Sequence, residues 1–476
     1  MGAPNIILMV ADDLGWMDLG CYGSTFYETP CLDQMARDGV RFTQAYAAAP
    51  VCSPSRASLL TGQYPARVGV THYLGATTER GRLIGAPYVD HLPLEETTIA
   101  AALQQSGYQT WHVGKWHLGD RRYYPDAHGF MENVGGCDWG HPHQGYFSPY
   151  GIETLADGPE GEYLTDRLTD EAIGLIKRRR MSGDHRPFFL YLAHYAVHTP
   201  IEAPADLVDK YRRKAKQLGL DQLPALEPGE AFPTEQKQGQ RVMRRLVQSD
   251  VHYAAMVENL DANLGRLLGA LEHEEEADNT IVIFTSDNGG LATAEGSPTC
   301  NRPLSEGKGW MYDGGLREPL LVKWPGVTVP GTTCDQPVTS PDFYPTLLAM
   351  AELPLRPEQH RDGQSFVPAL YGQSVERGPI FWHFPHYGNQ GGTPASAIRL
   401  GDFKLIEFYE DGRLELYNLH HDIGEETNLV TQLPALAQAL QGRLAAWRLE
   451  MNALSPTRNA RWQGPPKETG GNRSMT

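Results

Sequence analysis

The sequence predicts an α/β protein: a large mixed, mostly parallel sheet sandwiched by helices, followed by a smaller antiparallel sheet with one helix. Two observations carry this. Short apolar runs of the fully buried type recur along the first three quarters of the chain with helical patterns between them, as in a parallel or mixed sheet covered on both faces. After about Gly372 the runs turn short and alternating, as strands of a small antiparallel sheet do. The change divides the chain into a larger domain over residues 1–371 and a C-terminal subdomain over 372–476.

The buried strands fall at 6–10, 109–113, 188–193, 281–285 and 320–324. Helical patterns cover 98–105, 163–178 and 246–271, and a short helix follows Cys52, with Ser53 as N-cap, Pro54 at the first helical position and Gly62 as the stop. Residues 203–240 are rich in Lys, Arg, Gln, Glu and Pro without a clear apolar period, which predicts a solvated excursion from the core. The C-terminal strands fall at 379–384, 397–408 and 413–419, with an amphipathic helix near 433–449 and a poorly ordered tail from Pro456.

At 476 residues and 41% hydrophobic content the chain can bury a large core. Its net charge of −17 argues against nucleic-acid partners and anionic membrane surfaces, so an anionic substrate would need a local cluster of positive charge. The six cysteines (Cys21, Cys31, Cys52, Cys137, Cys300 and Cys334) lack the C-x-x-C pairing of zinc sites and do not suggest a disulfide framework, though one or two bridges would fit. No apolar run is long enough for membrane insertion, and the first strand begins too early for a signal peptide to precede it. A cytoplasmic protein, or an exported one whose signal has been removed, is expected.

In a sheet of this kind ligands gather beyond the carboxyl ends of the strands. Asp12 and Asp13 follow the first strand, and Asp287 and Asn288 follow the strand that ends at Ser286. Each pair alone is an ordinary polar turn, but four oxygen donors on one edge suit a hard divalent cation. Cys52 stands at the positive end of its helix, where an anionic ligand or an activated thiolate is favoured and a buried structural cysteine is the alternative. Lys115 and His117 follow the strand ending at Val113, two residues apart, so extended geometry would put both on one side. His198, in His198-Thr199-Pro200, follows the strand ending at Ala193, and Lys308 lies in the Gly-rich run Glu306-Gly307-Lys308-Gly309.

The run Cys52-Ser53-Pro54-Ser55-Arg56, continued to Gly62, resembles the signature of the type I sulfatases, a family of the alkaline phosphatase superfamily. Gly114-Lys115-Trp116-His117-Leu118-Gly119, His198-Thr199-Pro200 and the Lys308 loop resemble further elements of that family, in order, over roughly residues 4 to 350. The resemblance implies that a maturation enzyme oxidises Cys52 to Cα-formylglycine. It also implies that Asp12, Asp13, Asp287, Asn288 and residue 52 hold one calcium ion (Ca2+). By the same resemblance Lys115 and Lys308 bind the sulfate, His198 protonates the leaving alcohol, Asp287 assists the nucleophile, and Arg56 and His117 act on its second hydroxyl.

The implied activity is sulfatase action, release of inorganic sulfate from a sulfated saccharide by exo action, closest to bacterial carbohydrate sulfatases and arylsulfatases. The alternatives are a broad arylsulfatase, a phosphonate or phosphate diester hydrolase of the same superfamily, and a calcium-binding relative without turnover. Residues expected to contact the sugar are Trp139, His141, His143, His383 and His386, from segments rich in aromatic and imidazole groups that also contain His72, Tyr73, Asp138 and Tyr387. The Gly-rich loop 388–394 is expected to reach over the cleft.

Overall fold

The structure, a computed structural model, describes residues 2–76, 80–462 and 464. A 9-stranded sheet forms its centre, in the order Thr332–Cys334, Val40–Tyr46, Arg317–Lys323, Thr280–Ser286, Asn5–Ala11, Phe188–Ala193, Gln109–Gly114 and Glu132–Val134, with Val338–Thr339 paired to Val40–Tyr46. From Thr280–Ser286 to Glu132–Val134 neighbouring strands are parallel, whereas Arg317–Lys323 runs antiparallel to both of its neighbours. Every residue of Asn5–Ala11, Phe188–Ala193 and Thr280–Ser286 is buried, because both faces are covered. Helices Pro30–Asp38, Leu164–Met181 and Ala205–Gln217 pack against the long helix Val251–His273, and Cys52–Thr61, Ile99–Gln105 and Phe343–Met350 form a second group.

Several local expectations needed correction. Cys52, not Pro54, is the first helical residue and Val51 precedes it without a side-chain cap; the Ser53 hydroxyl instead accepts the N–H of Leu74 at 3.0 Å. Gly62 does end the helix, in the left-handed conformation that favours glycine, with φ 71°. The segment 203–240 holds the helix Ala205–Gln217, which buries Val208, Tyr211 and Ala215, and the hairpin Leu226–Ala231 with Arg241–Arg245. The apolar spacing was there, but only three positions carry it amid charged neighbours.

The C-terminal sheet is antiparallel, in the order Ile380–Phe384, Ala395–Leu400, Phe403–Phe408 and Leu414–Asn418, and Pro434–Glu450 is the helix beside it. The run expected at 397–408 is two strands, folded back at Gly401 with φ 58° so that Leu400 pairs with Phe403. Part of the tail is ordered: Thr457–Arg458 pairs with Leu83–Ile84, while the tail beyond Trp462 lies outside the described residues apart from Gly464. All six cysteines are free thiols, so the bridges allowed by the sequence do not form. Among the described residues no helix is long and apolar enough to cross a membrane.

Candidate active site

Four neighbouring parallel strands deliver the site. Asn5–Ala11 ends at Asp12 and Asp13, Thr280–Ser286 at Asp287 and Asn288, Gln109–Gly114 at Lys115, and Phe188–Ala193 leads to His198. All of these side chains except that of His198 are at most 3% exposed. Gly114 permits the crowding: its φ is 103°, and a Cβ there would meet the carbonyl of Ala193 at 1.9 Å. His117 reaches the cavity by a different route from the one expected, since its own φ of 56° breaks the extended run after Gly114.

Cys52 is 2% exposed and opens into a cavity of about 490 Å³. Arg56, one turn along the same helix, donates from Nε to Asp287 Oδ2 at 2.8 Å and from Nη1 to the Lys115 carbonyl at 3.1 Å. Lys115 Nζ lies 2.6 Å from Asp12 Oδ2, and Lys308 Nζ lies 2.7 Å from Asp13 Oδ2. Asn288 Nδ2 donates to Asp13 Oδ1 at 2.8 Å, and the Asp13 N–H donates to Asp287 Oδ1 at 3.2 Å. Lys308 Nζ also donates to His198 Nε2 at 2.9 Å, while His198 Nδ1 faces the Thr199 carbonyl at 2.9 Å, which assigns the imidazole proton to Nδ1. Tyr146, which sequence reasoning missed, fixes this segment by donating to the carbonyls of both Tyr195 and His198 at 2.7 and 2.8 Å.

Burial governs the protonation of these groups. It pushes the Asp12 carboxyl up to about 8 against the pull of Lys115, and the Cys52 thiol up to about 12 against Lys115 and Lys308. Asp13 is buried too, yet Lys308, with His198 and Lys115 nearby, holds it below the usual carboxylate range. Burial, reinforced by Lys308, keeps His198 well below the ordinary imidazole value, and burial with Lys115 does the same to His117. An activated thiolate is therefore not what the helix end provides. Unmodified Cys52 is a neutral thiol at pH 7.

The residues fit a hard cation. Ligand atoms of Asp12, Asp13, Cys52 and His198 lie within 4.8 Å of one another, and the buried Oδ1 atoms of Asp12 and Asn288 accept no hydrogen bond. Oxygen donors left unsatisfied in a buried site are what a divalent cation would use. Asp287 adjoins the group, with its carboxylate shared between Arg56 and the Asp13 N–H.

Of the residues expected at the sugar, Trp139, His141 and His143 line the cavity, as do Tyr73 and Asp138. Trp139 and His143 stack with ring centres 4.1 Å apart. His383 and His386 do not reach it. His383 bridges Ser396 Oγ at 2.8 Å and the Leu454 carbonyl at 3.0 Å, and His386 stacks on His72 at 4.4 Å with its Nε2 on Thr71 Oγ1, so both histidines hold the C-terminal sheet in place. The loop 388–394 contributes Asn389 and Gln390 to the wall. Glu295 also lines the cavity and had no signal beyond a polar turn after Asp287-Asn288.

This fold and set of acidic, cationic and cysteine groups define a hydrolase of charged esters. The family model for sulfatases matches residues 4–353, and the chain belongs to that family: it is a type I sulfatase of the alkaline phosphatase superfamily, a sulfuric ester hydrolase. A second model, N-sulphoglucosamine sulphohydrolase C-terminal, matches residues 306–450. A sulfatase of Formosa agariphila is 34% identical over 94% of this chain and 89% of its own length. The N-acetylgalactosamine-6-sulfatase of Canis lupus familiaris is 32% identical over 84% of this chain and 71% of its own. The solved structure of Ps i-CgsB in complex with k-i-k-neocarrahexaose superposes with a TM-score of 0.76 at 29% identity, covering 96% of this chain and 95% of that one.

Proposed function

We propose that the protein releases sulfate from the terminal sugar of a sulfated saccharide, with Cys52 matured to Cα-formylglycine and one calcium ion held by Asp12, Asp13, Asp287, Asn288 and residue 52. The reading is carried by one observation: Lys115, Lys308, His198 and Arg56 surround a buried Cys52 at the floor of a cavity walled by Trp139, His141 and His143. Two similar proteins, one named for N-acetylgalactosamine-6-sulfate and one solved with an oligosaccharide, support a saccharide substrate. Residues 1–371 would carry the chemistry, and the subdomain 372–476 would complete the cleft through Asn389 and Gln390.

When bound, the ion and the hydrated aldehyde supply Lewis-acid support and a nucleophilic oxygen. Lys115 and Lys308 hold the sulfate oxygens and stabilise the charge that develops as the S–O bond breaks. His198, whose Nε2 lies 2.9 Å from Lys308 Nζ, takes up a proton at Nε2 and passes it to the leaving alcohol oxygen, while Lys308 keeps its charge on the sulfate. His117 donates from Nε2 to the Leu74 carbonyl at 3.1 Å, which leaves Nδ1 to accept a proton from the group at position 52. Arg56, fixed by Asp287, orients that group.

Sulfate release from a panel of singly sulfated mono- and disaccharides, run beside a matched aryl sulfate and aryl phosphate diester, tests the reading. The matured protein is expected to prefer the saccharides and to cleave the aryl sulfate faster than the phosphate diester. Faster phosphate diester cleavage would overturn it.

A further inference from the structure

The catalytic cavity has a neighbour with which it shares part of its lining. Thr199 and Glu295 line it, and the same two residues line an adjoining cavity of about 480 Å³ whose other walls include Ile201, Asp250 and His252. Two spaces of this size side by side, with Thr199 and Glu295 on the rim they share, have room for more than one sugar ring. A path for an anionic substrate would be expected to carry cations along its length. At the junction it carries the carboxylate of Glu295 instead.

That carboxylate is held in place with some effort. Glu295, Gly296 and Ser297 are consecutive left-handed residues with φ 53°, 88° and 45°, a conformation that L side chains rarely adopt. The turn is tied down where Ser297 N–H donates to the Ala294 carbonyl and Ser297 Oγ to the Met243 carbonyl, both at 2.7 Å, while Arg245 Nε donates to the Ser297 carbonyl. Asn389 Nδ2 and Gln390 Nε2, from the C-terminal loop, both donate to Oε1 of Glu295, leaving Oε2 for a ligand. A hydroxyl placed there would donate to the carboxylate, whereas a sulfate would meet like charge.

We propose that Glu295 is the specificity wall of a second sugar subsite, accepting hydroxyls from the ring that adjoins the sulfated one and rejecting a second sulfate on it. This rests on the saccharide reading above. The test uses galactose and N-acetylgalactosamine disaccharides sulfated on the terminal ring, each with an unsulfated or a sulfated neighbour, and nitrophenyl sulfate as a single-ring reference. The parent protein is expected to prefer the unsulfated neighbour by about tenfold in kcat/KM, chiefly through KM, with the preference falling to within about twofold in Glu295→Gln and surviving in Glu295→Asp, which keeps the charge. Equal rates on both neighbours in the parent protein, or an unchanged preference in Glu295→Gln, would overturn the proposal. Hydrolysis of nitrophenyl sulfate with no release from any disaccharide would overturn the saccharide reading itself, and the subsite with it.

Discussion

Lys115 lies against Asp12 and Lys308 against Asp13, so neither is free to meet a sulfate oxygen while it keeps that contact. A divalent cation among the carboxylates would resolve that conflict by taking over those contacts and releasing the lysines. Calcium is therefore expected to raise the thermal unfolding midpoint of the chelator-treated protein; an unchanged midpoint across a calcium titration would count against the assigned ligands. Lys308→Ala is expected to lower kcat/KM for sulfate esters by about 10² or more, since it removes both a sulfate contact and the partner of His198. The residues at strand ends were legible in the sequence because buried runs mark where strands stop. His383 and His386 were not, since an imidazole that bridges two strands and one that lines a cleft look alike until the fold places them.

At the scale of elements, the helix Ile99–Gln105 starts on a true side-chain cap. Thr98 Oγ1 accepts the Ala101 N–H at 3.1 Å and donates to the His128 carbonyl at 2.6 Å. Thr98→Ala should lower stability by about 1 kcal/mol, read as a shifted urea midpoint with an unchanged slope. Strands buried on both faces were found from sequence to within a residue or two at most ends, because their apolar runs have no competing explanation. Val40–Tyr46 was missed because Arg41, Thr43 and Gln44 interrupt its apolar pattern. The helix Ala205–Gln217 was hidden for a related reason, a narrow buried stripe on an otherwise charged surface.

At the scale of the whole molecule, the C-terminal sheet is anchored to the catalytic part by a buried ion cluster. Lys404 Nζ lies 2.8 Å from both Asp313 Oδ1 and Glu425 Oε1, and Arg317 also pairs with Asp313. Lys404→Met would leave the buried Glu425 without a cationic partner and Asp313 with Arg317 alone, and is expected to cost about 3–5 kcal/mol in denaturant unfolding. Acid should weaken the fold above the ordinary carboxylate range. Burial depresses His72 and His194 to about 3 and His128 and His383 to about 4, below the unfolded value of 6.5. The stability these neutral imidazoles confer is full above pH 6.5 and is lost as pH falls from there toward 4, by about 1.4 kcal/mol per unit for each proton taken up on unfolding. A melting temperature that stays flat from pH 7 to 5 would contradict this. The central claim, that residue 52 works as an aldehyde and not as a thiol, is tested most directly by mass spectrometry of the peptide spanning residue 52, on active protein made alongside a formylglycine-generating enzyme. The expected result is formylglycine at that position in the fraction that turns over sulfate esters; an intact thiol in fully active protein would contradict it.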